Sequence, residues 1–415
     1  MDGDVLGLGD VLAEAEEASP VESVDVVARN LQKRFGAGCV SFLFVDLVGE
    51  ELVRLSTADG AEDGHRATRI GLRGSRYEQV LRSQRLHVEP DGEGGHRIIS
   101  PVTNRGDCVG VLETTLPHTD EMVLRQVSRA AHALAYIIVT DRRFTDLYHR
   151  SRRSTPTSLA AEIQHQLLPS AACCESAQFA VAGGLVPADD IGGDTYDYAL
   201  DRDTLHLSIT DAMGHDTESA LLATLLLGGL RGARRAGCDI AEQARRAHRA
   251  LLDHDRGLAT GQLLRVRLDE GSVQMVNAGH PRPLRMRDGL VEELAVFPDL
   301  PFGVASPFPY RVQELDLRPG DRLLLLTDGM QERAAAGVDL LALVRDTRHL
   351  HVRETVRTLV TAVRDACAGR LHDDATVLCL DWHGTRPTGP LPDTGGVRDL
   401  PRASLLYTKY AADEG

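Results

Sequence analysis

Residues 204–216 read TLHLSITDAMGHD, and this stretch decides the architecture of the second half of the chain. Leu205, Leu207 and Ile209 alternate with polar neighbours, the two-residue period of a half-buried strand. That strand runs out at Asp211. Ala212 can then offer a backbone carbonyl, and Met213 and Gly214 turn the chain toward a helix that starts near Asp216. Asp328 repeats the arrangement after RLLLLT (322–327), where Gly329 is expected to allow a tight turn. Asp373 precedes the strand-like ATVLCLDW (375–382), and Asp194 lies in the glycine-rich IGGDTYD (191–197).

Taken singly, each of these aspartates reads as a turn or cap residue. Gathered at the ends of strands in one fold, bare carboxylates repel by roughly 4 kcal/mol per pair at 4 Å and an effective dielectric near 20. A cation offsets this. Hard divalent ions such as Mg or Mn take carboxylate and carbonyl oxygens, whereas zinc calls for His or Cys at short spacing, and the sequence has no such cluster. The pattern reads as a hydrolytic two-metal site.

Outward from these motifs, QLLRVRL (262–268) and SVQMVNA (272–278) are strand candidates joined through Asp269–Gly271, which favours antiparallel pairing. Helical periodicity covers 217–236, 240–254 and 352–368. A short helix is expected after the charged connection HRSRRSTPTS (149–158). Ser158 or Thr157 caps it, Leu159, Ile163 and Leu167 share a face, and Pro169 stops it. Upstream, residues 21–147 read helix, strands, helix, an α+β module. Its strands are VSFLFVD, ELVRLST, HRIISPV and DCVGVLETT, the last two joined by TNRG. Its last helix, within 121–148, carries Val123, Val127, Ala130, Leu134 and Ile137, then Phe144 and Tyr148. This spacing suits a homodimer seam or a helix packed on its own sheet equally well. The division is therefore a flexible N-terminus over 1–20, an α+β domain over 21–150, a linker with a short helix over 151–170, a second domain over 171–383 and a disordered tail over 384–415.

Composition narrows the class. A formal charge of −15 over 415 residues argues against nucleic acid or an acidic membrane as the main partner. Seven scattered cysteines read as reduced thiols, the N-terminus shows no secretory signal, and the longest apolar stretch, Ala220–Leu230, is too short to span a bilayer. A cytoplasmic location is the expectation.

IGGDTYDYAL, DAMGHDTESALLATL, NAGHPRPL, LLLLTDGMQE and DDATVLCL, in this order, resemble the PPM superfamily of metal-dependent serine/threonine phosphatases, in its SpoIIE/RsbU-like bacterial branch. The resemblance covers about 158–382. It implies a β-sandwich flanked by helices and two Mn2+ or Mg2+ ions. Asp211 then matches the bridging ligand, Ala212 the carbonyl ligand, Asp328 and Asp373 the carboxylates of one ion, and Asp194 the acid of the other. Catalysis would fall to Asp211, Asp328 and Asp373 through metal-activated water, with Asp374, Gly193, Gly329 and His215 in supporting positions. Two departures stand out: Thr195 where the branch commonly has Trp, and Asp216 where it often has Gly. The N-terminal region resembles a GAF sensor domain in element order and in CVGVLETT.

The implied activity is hydrolysis of phosphoserine or phosphothreonine on a protein, by resemblance a STAS-type anti-anti-sigma factor in a sigma-factor partner-switching pathway, with the GAF-like domain regulating through the helix at 158–168. The rival from another class is a non-catalytic sensor that uses a phosphatase fold to hold a partner. An enzyme acting on nucleotides or small phosphoesters lacks a phosphate-cradling glycine loop. His215 and His280 read as turn residues more readily than as acids.

Overall fold

The computed structural model describes residues 7–46, 49–54, 68–148, 158–188, 193–214, 217–254, 257–331, 337–367 and 371–385. The expectations for His215, Asp216, the connection at 149–157 and the segment 386–415 lie outside these residues. Helix α1 (Leu8–Glu17) forms where a flexible terminus was expected, because Val11 packs into a core with Val26 and Leu31 of α2 (Ser23–Phe35). Strands β1 (Val40–Val45), β2 (Glu51–Arg54), β3 (Thr68–Gly71), β4 (His87–Pro90), β5 (His96–Asn104) and β6 (Asp107–Leu116) follow, with α3 (Arg76–Ser83) between β3 and β4. They build one antiparallel sheet in the order β3-β2-β1-β6-β5-β4. The β5–β6 hairpin turns at Arg105 and Gly106, both in the left-handed region at φ 47° and 80°, the pair a two-residue hairpin of this hand requires.

Helix α4 (Glu121–Asp141) is capped by Asp120, which accepts from the Val123 amide at 2.7 Å. Val127, Ala130, Leu134 and Ile137 pack with Phe42, Phe44 and Leu112 of their own sheet. The three-four face is thus covered within its own region, and Phe144 is exposed. This is the packed-helix alternative of the two that the spacing left open.

The second region begins with α5 (Leu159–Leu167), β7 (Cys173–Glu175), β8 (Phe179–Val186), β9 (Gly193–Leu200) and β10 (Thr204–Ala212). Helices α6 (Thr217–Arg235) and α7 (Ile240–Leu252) precede β11 (Ala259–Arg267), β12 (Val273–Ala278), β13 (Leu284–Arg287), β14 (Leu290–Glu293), β15 (Gln313–Leu315) and β16 (Arg322–Leu326). Helices α8 (Leu340–Asp346) and α9 (Val352–Ala366) lead to β17 (Ala375–Trp382). Two antiparallel sheets result, β15-β12-β11-β10-β9 and β14-β13-β16-β17-β8-β7.

The two-residue period assigns each side chain a layer. Leu205, Leu207, Ile209, Leu323, Leu325, Leu378 and Leu380 meet between the sheets, where Trp382 and Phe179 close the core. The alternate residues face outward. Ala212, Leu263 and Val276 receive α6 and α7, while Leu324, Val377 and Cys379 receive α9. The outcome is a β-sandwich covered by helices on both faces, as the resemblance implied. The described residues, up to Thr385, form one compact unit. Within it the N-terminal region grips the outer helix α9: Arg357 pairs with Glu78 at 3.2 Å, Arg364 pairs with Glu50, and Arg353 donates to the Gly106 carbonyl at 2.6 Å. No helix of the described residues is long and apolar enough to cross a membrane.

Candidate functional site

The carboxylates collect at one end of the sandwich because strand parity and register leave no other place. Asp194 shares the inward parity of Tyr196, and Asp211 that of Ile209. The antiparallel register sets Asp211 directly opposite Asp194, with Ala212 opposite Gly193. A Cβ on Gly193 would stand 2.3 Å from the Ala212 carbonyl oxygen, so only glycine lets β9 pass this close. Asp194, in the glycine-rich IGGDTYD, is the second residue of β9.

From the facing sheet, Thr327 and Thr376 continue the inward parity of Leu325 and Leu378 and reach across. Their hydroxyls both donate to Asp194 Oδ2, at 2.8 and 2.6 Å. Thr327 Oγ1 in turn accepts from the Thr376 amide at 2.9 Å. The two layers are stitched together at the site itself. Asp328 follows Thr327 and opens a single 3-10 turn over Asp328–Gln331. Gly329 here is not a left-handed residue: the space it leaves is for the Asp374 carbonyl, which a Cβ would approach to 2.0 Å.

Asp373 and Asp374 part company. Asp374 is 1% exposed, and both its oxygens are taken, Oδ1 by the Ala188 amide at 2.9 Å and Oδ2 by Gln164 Nε2 at 2.6 Å. Asp373 is half-buried and accepts from the Asp374 amide at 2.9 Å. The five acids therefore form a gradient, from buried Asp194 and Asp374 through half-buried Asp211 and Asp373 to exposed Asp328.

Their charges disfavour one another. Burial first, and then the negative charges of Asp328, Asp373 and Asp374, push the Asp211 carboxyl up to about 7. Burial, Asp211 and Asp374 raise Asp194 well above the usual carboxylate range, and the two threonine hydroxyls only partly oppose this. An all-oxygen donor set held in mutual repulsion suits a hard divalent cation by its chemistry. Among the described residues no three acid, His or Cys side chains stand as an already closed metal-binding group, so the fit lies in donor chemistry and neighbourhood. The residues that would hold such ions are Asp194, Asp211, the Ala212 carbonyl, Asp328 and Asp373.

Three partners of the site were not singled out in the sequence: Thr327, Thr376 and Gln164. Gln164 Nε2 donates both to Asp374 and to the Asp194 carbonyl, at 2.6 and 2.9 Å, and so ties α5 to two strands of the site. Of the face predicted for α5, Ile163 and Leu167 pack against buried clusters and Leu159 does not. Leu159 is 67% exposed, while Ala160, Ala161 and Gln164 are buried, because small side chains let α5 approach α6 closely enough for the amide to reach inward. Of the histidines, His280 is buried and its Nδ1 lies 2.8 Å from Thr260 Oγ1. Burial lowers it to about 3, which keeps the ring neutral. His215 lies outside the described residues. Thr195, at the departure from the branch, is buried and hydrogen-bonded to Thr210 Oγ1 at 2.6 Å.

Residues 201–383 match the family described as Stage II sporulation protein E (SpoIIE). That segment contains Asp211, Asp328 and Asp373, and Asp194 precedes it. Phosphoserine phosphatase RsbU of Bacillus subtilis (strain 168) is 22% identical over 231 residues, covering 54% of this chain and 68% of that protein. Phosphoserine phosphatase RsbP of the same organism is 26% identical over 188 residues, or 43% of this chain; the chain spans about half of its length, 47%. Among solved structures, the RsbU and RsbW domains of a Mycobacterium tuberculosis protein align with a TM-score of 0.44 at 24% identity, over 51% of this chain and 61% of that one.

Proposed function

With residues 201–383 matching the family described as Stage II sporulation protein E, we propose that this protein is a metal-dependent protein phosphatase of the PPM type that hydrolyses phosphoserine or phosphothreonine. The observation that carries the reading is the cross-layer convergence on Asp194: Asp211 opposite it in the ladder, Thr327 and Thr376 clasping it from the other sheet. Its nearest support in kind is that RsbU and RsbP are named phosphoserine phosphatases.

When bound, a pair of Mn2+ or Mg2+ ions supplies Lewis acidity toward phosphoryl oxygens and attacking water in an in-line displacement. The chain's own part is positional. Asp211 projects from the end of β10 with a carboxyl whose charge is disfavoured until a cation is near. Thr327 and Thr376 hold one oxygen of Asp194 and fix its orientation. Asp374 and Gln164 brace the ends of β8, β9 and β17 from behind, which keeps the acids in register. Exposed Asp328 faces the side from which a phosphoprotein approaches.

The partner we propose, by family resemblance, is a phosphorylated STAS-type anti-anti-sigma factor. The GAF-like reading of the N-terminal sheet is likewise ours, as is its regulatory role. What supports regulation is a mechanical route: α9 is gripped by Glu50, Glu78 and Gly106, and it packs on β8 and β17, which lead to Ala188 and Asp374. Release of phosphate from a phosphoserine protein in Mn2+, in chelator, and by Asp211→Asn or Asp328→Asn tests the catalytic reading. Turnover that persists in the chelated or substituted samples rejects it. A chain that starts at Ser154 and matches the full chain's rate, whatever effector is added, rejects regulation.

A further inference from the structure

The connection between β14 and β15, residues 294–312, is held rigidly yet turns large apolar side chains to solvent. It returns to the sandwich at the end where Ala212 lies. Phe302 and Ala259 exchange backbone hydrogen bonds at 2.8 and 3.0 Å, and Ala259 is the ladder partner of Ala212. The Asp299 amide donates to the Asn277 carbonyl at 2.8 Å. Gln313 clasps the backbone of Phe297 from both sides, accepting from its amide at 2.8 Å and donating to its carbonyl at 2.9 Å. Asp299 Oδ2 accepts from the Arg311 amide at 2.7 Å, buried Phe302 rests against Tyr310, and four prolines, Pro298, Pro301, Pro307 and Pro309, restrict the backbone.

Outward from this frame stand Phe297 at 65%, Leu300 at 51%, Phe308 at 80% and Val312 at 41% exposure. Met213, directly after Ala212, is 62% exposed on the same end of the sheet. A rigid apolar surface of this kind marks an interaction site. Two features select its occupant. It adjoins the acidic end of the sandwich, so whatever covers it is carried alongside the candidate site. It is also locally neutral in a chain of formal charge −15: its one acid, Asp299, is engaged by Arg311, whose guanidinium also lies over the Phe297 ring. The patch itself therefore adds no net charge against a phosphorylated protein.

We infer that the Phe297–Val312 surface is the docking site for the phosphoprotein substrate, gripping its folded body by apolar contact while the phosphoester reaches the acids. This rests on the phosphatase reading and adds to it the means of telling a protein from a small phosphoester. The test uses the full chain with Phe297→Asp and Phe308→Asp combined, on p-nitrophenyl phosphate and on a phosphoserine STAS-domain protein. Both side chains are exposed, so the thermal midpoint is expected to hold. The expected result is a loss of about tenfold or more in kcat/KM on the protein, carried by KM, with p-nitrophenyl phosphate turnover within about twofold of the parent. Equal effects on both substrates, or none, overturn the inference. So does a parent dimer that the variant converts to monomer in sedimentation, since the occupant is then a second copy. Calorimetric affinity for the phosphoprotein is measured alongside. If the parent hydrolyses neither substrate, the phosphatase reading fails, and docking is still judged by whether the variant binds about tenfold more weakly.

Discussion

Each region of the molecule buries an acidic centre in its sheet, and the two centres are resolved in opposite ways. In the N-terminal sheet, Glu113 of β6 accepts from Tyr77 OH at 2.5 Å and pairs with Arg54 and Arg97, both at 3.1 Å. Burial works against its charge, yet Arg97, Tyr77 and Arg54 together hold its carboxyl below the usual range. In the sandwich, Asp194 and Asp211 find hydroxyls and other acids, and both are driven upward. The first centre is complete as it stands. The second is held in mutual repulsion at the end of a sheet, which supports the cation-binding site proposed above.

The contrast can be broken most sharply at Asp211. Asp211→Asn should lower phosphate release by more than the roughly 100-fold that loss of an outer-shell partner costs. In chelator the same variant should melt at a higher temperature than the parent, because a repulsive charge is gone. A lower midpoint in calorimetry would place Asp211 with Glu113 as a satisfied structural acid. Next in size is Gln164→Leu, which removes the brace from Asp194 and Asp374. Activity should fall about 10- to 100-fold, and the Mn2+ concentration for half-maximal rate should rise. A stability loss with unchanged metal dependence would reduce Gln164 to packing.

For Glu113→Gln the effect moves from activity to stability. Urea unfolding should show a loss of about 2 kcal/mol, with the rate per folded molecule unchanged. The smallest effect is its pH dependence. A carboxyl whose folded value lies below the ordinary 4.5 stabilises fully above that pH and loses its contribution as pH falls through the folded value. The difference between parent and Glu113→Gln should therefore be complete at pH 7 and shrink below about pH 4. A constant difference down to pH 3 would remove the charged cluster as its cause.

Much of this was legible along the chain. Alternation in TLHLSIT gives a strand whose parity already aims Asp211 inward, the run RLLLLT gives a second strand, and TNRG gives the hairpin at Arg105–Gly106. Less visible were β3, β4, β7 and β13 to β15, short strands of three or four residues whose periodicity is too brief to read, and the eight-residue β8 and β9 were not singled out as strands either. On α5 only Leu159 was misplaced, because apolar spacing favours it, whereas close packing on α6 favours the alanines beside it; Ile163 and Leu167 pack as expected. A polar Gln164 flanked by buried alanine positions was the available signal. Gly329 was assigned to a tight turn, yet its reason is a carbonyl 45 residues downstream in sequence, at Asp374, which no local pattern contains.

By itself, the sequence determined the strand periods and the supply of acids at strand ends, since these follow from side-chain type and nearest neighbours. Only the tertiary structure decided which acid would be satisfied and which would not. Asp194 is clasped by hydroxyls 133 and 182 residues away, and Asp374 is buried and engaged through both oxygens while adjacent Asp373 is half-buried. A carboxylate's charge state depends on what the opposite layer brings within hydrogen-bond reach, and that is a property of packing between sheets.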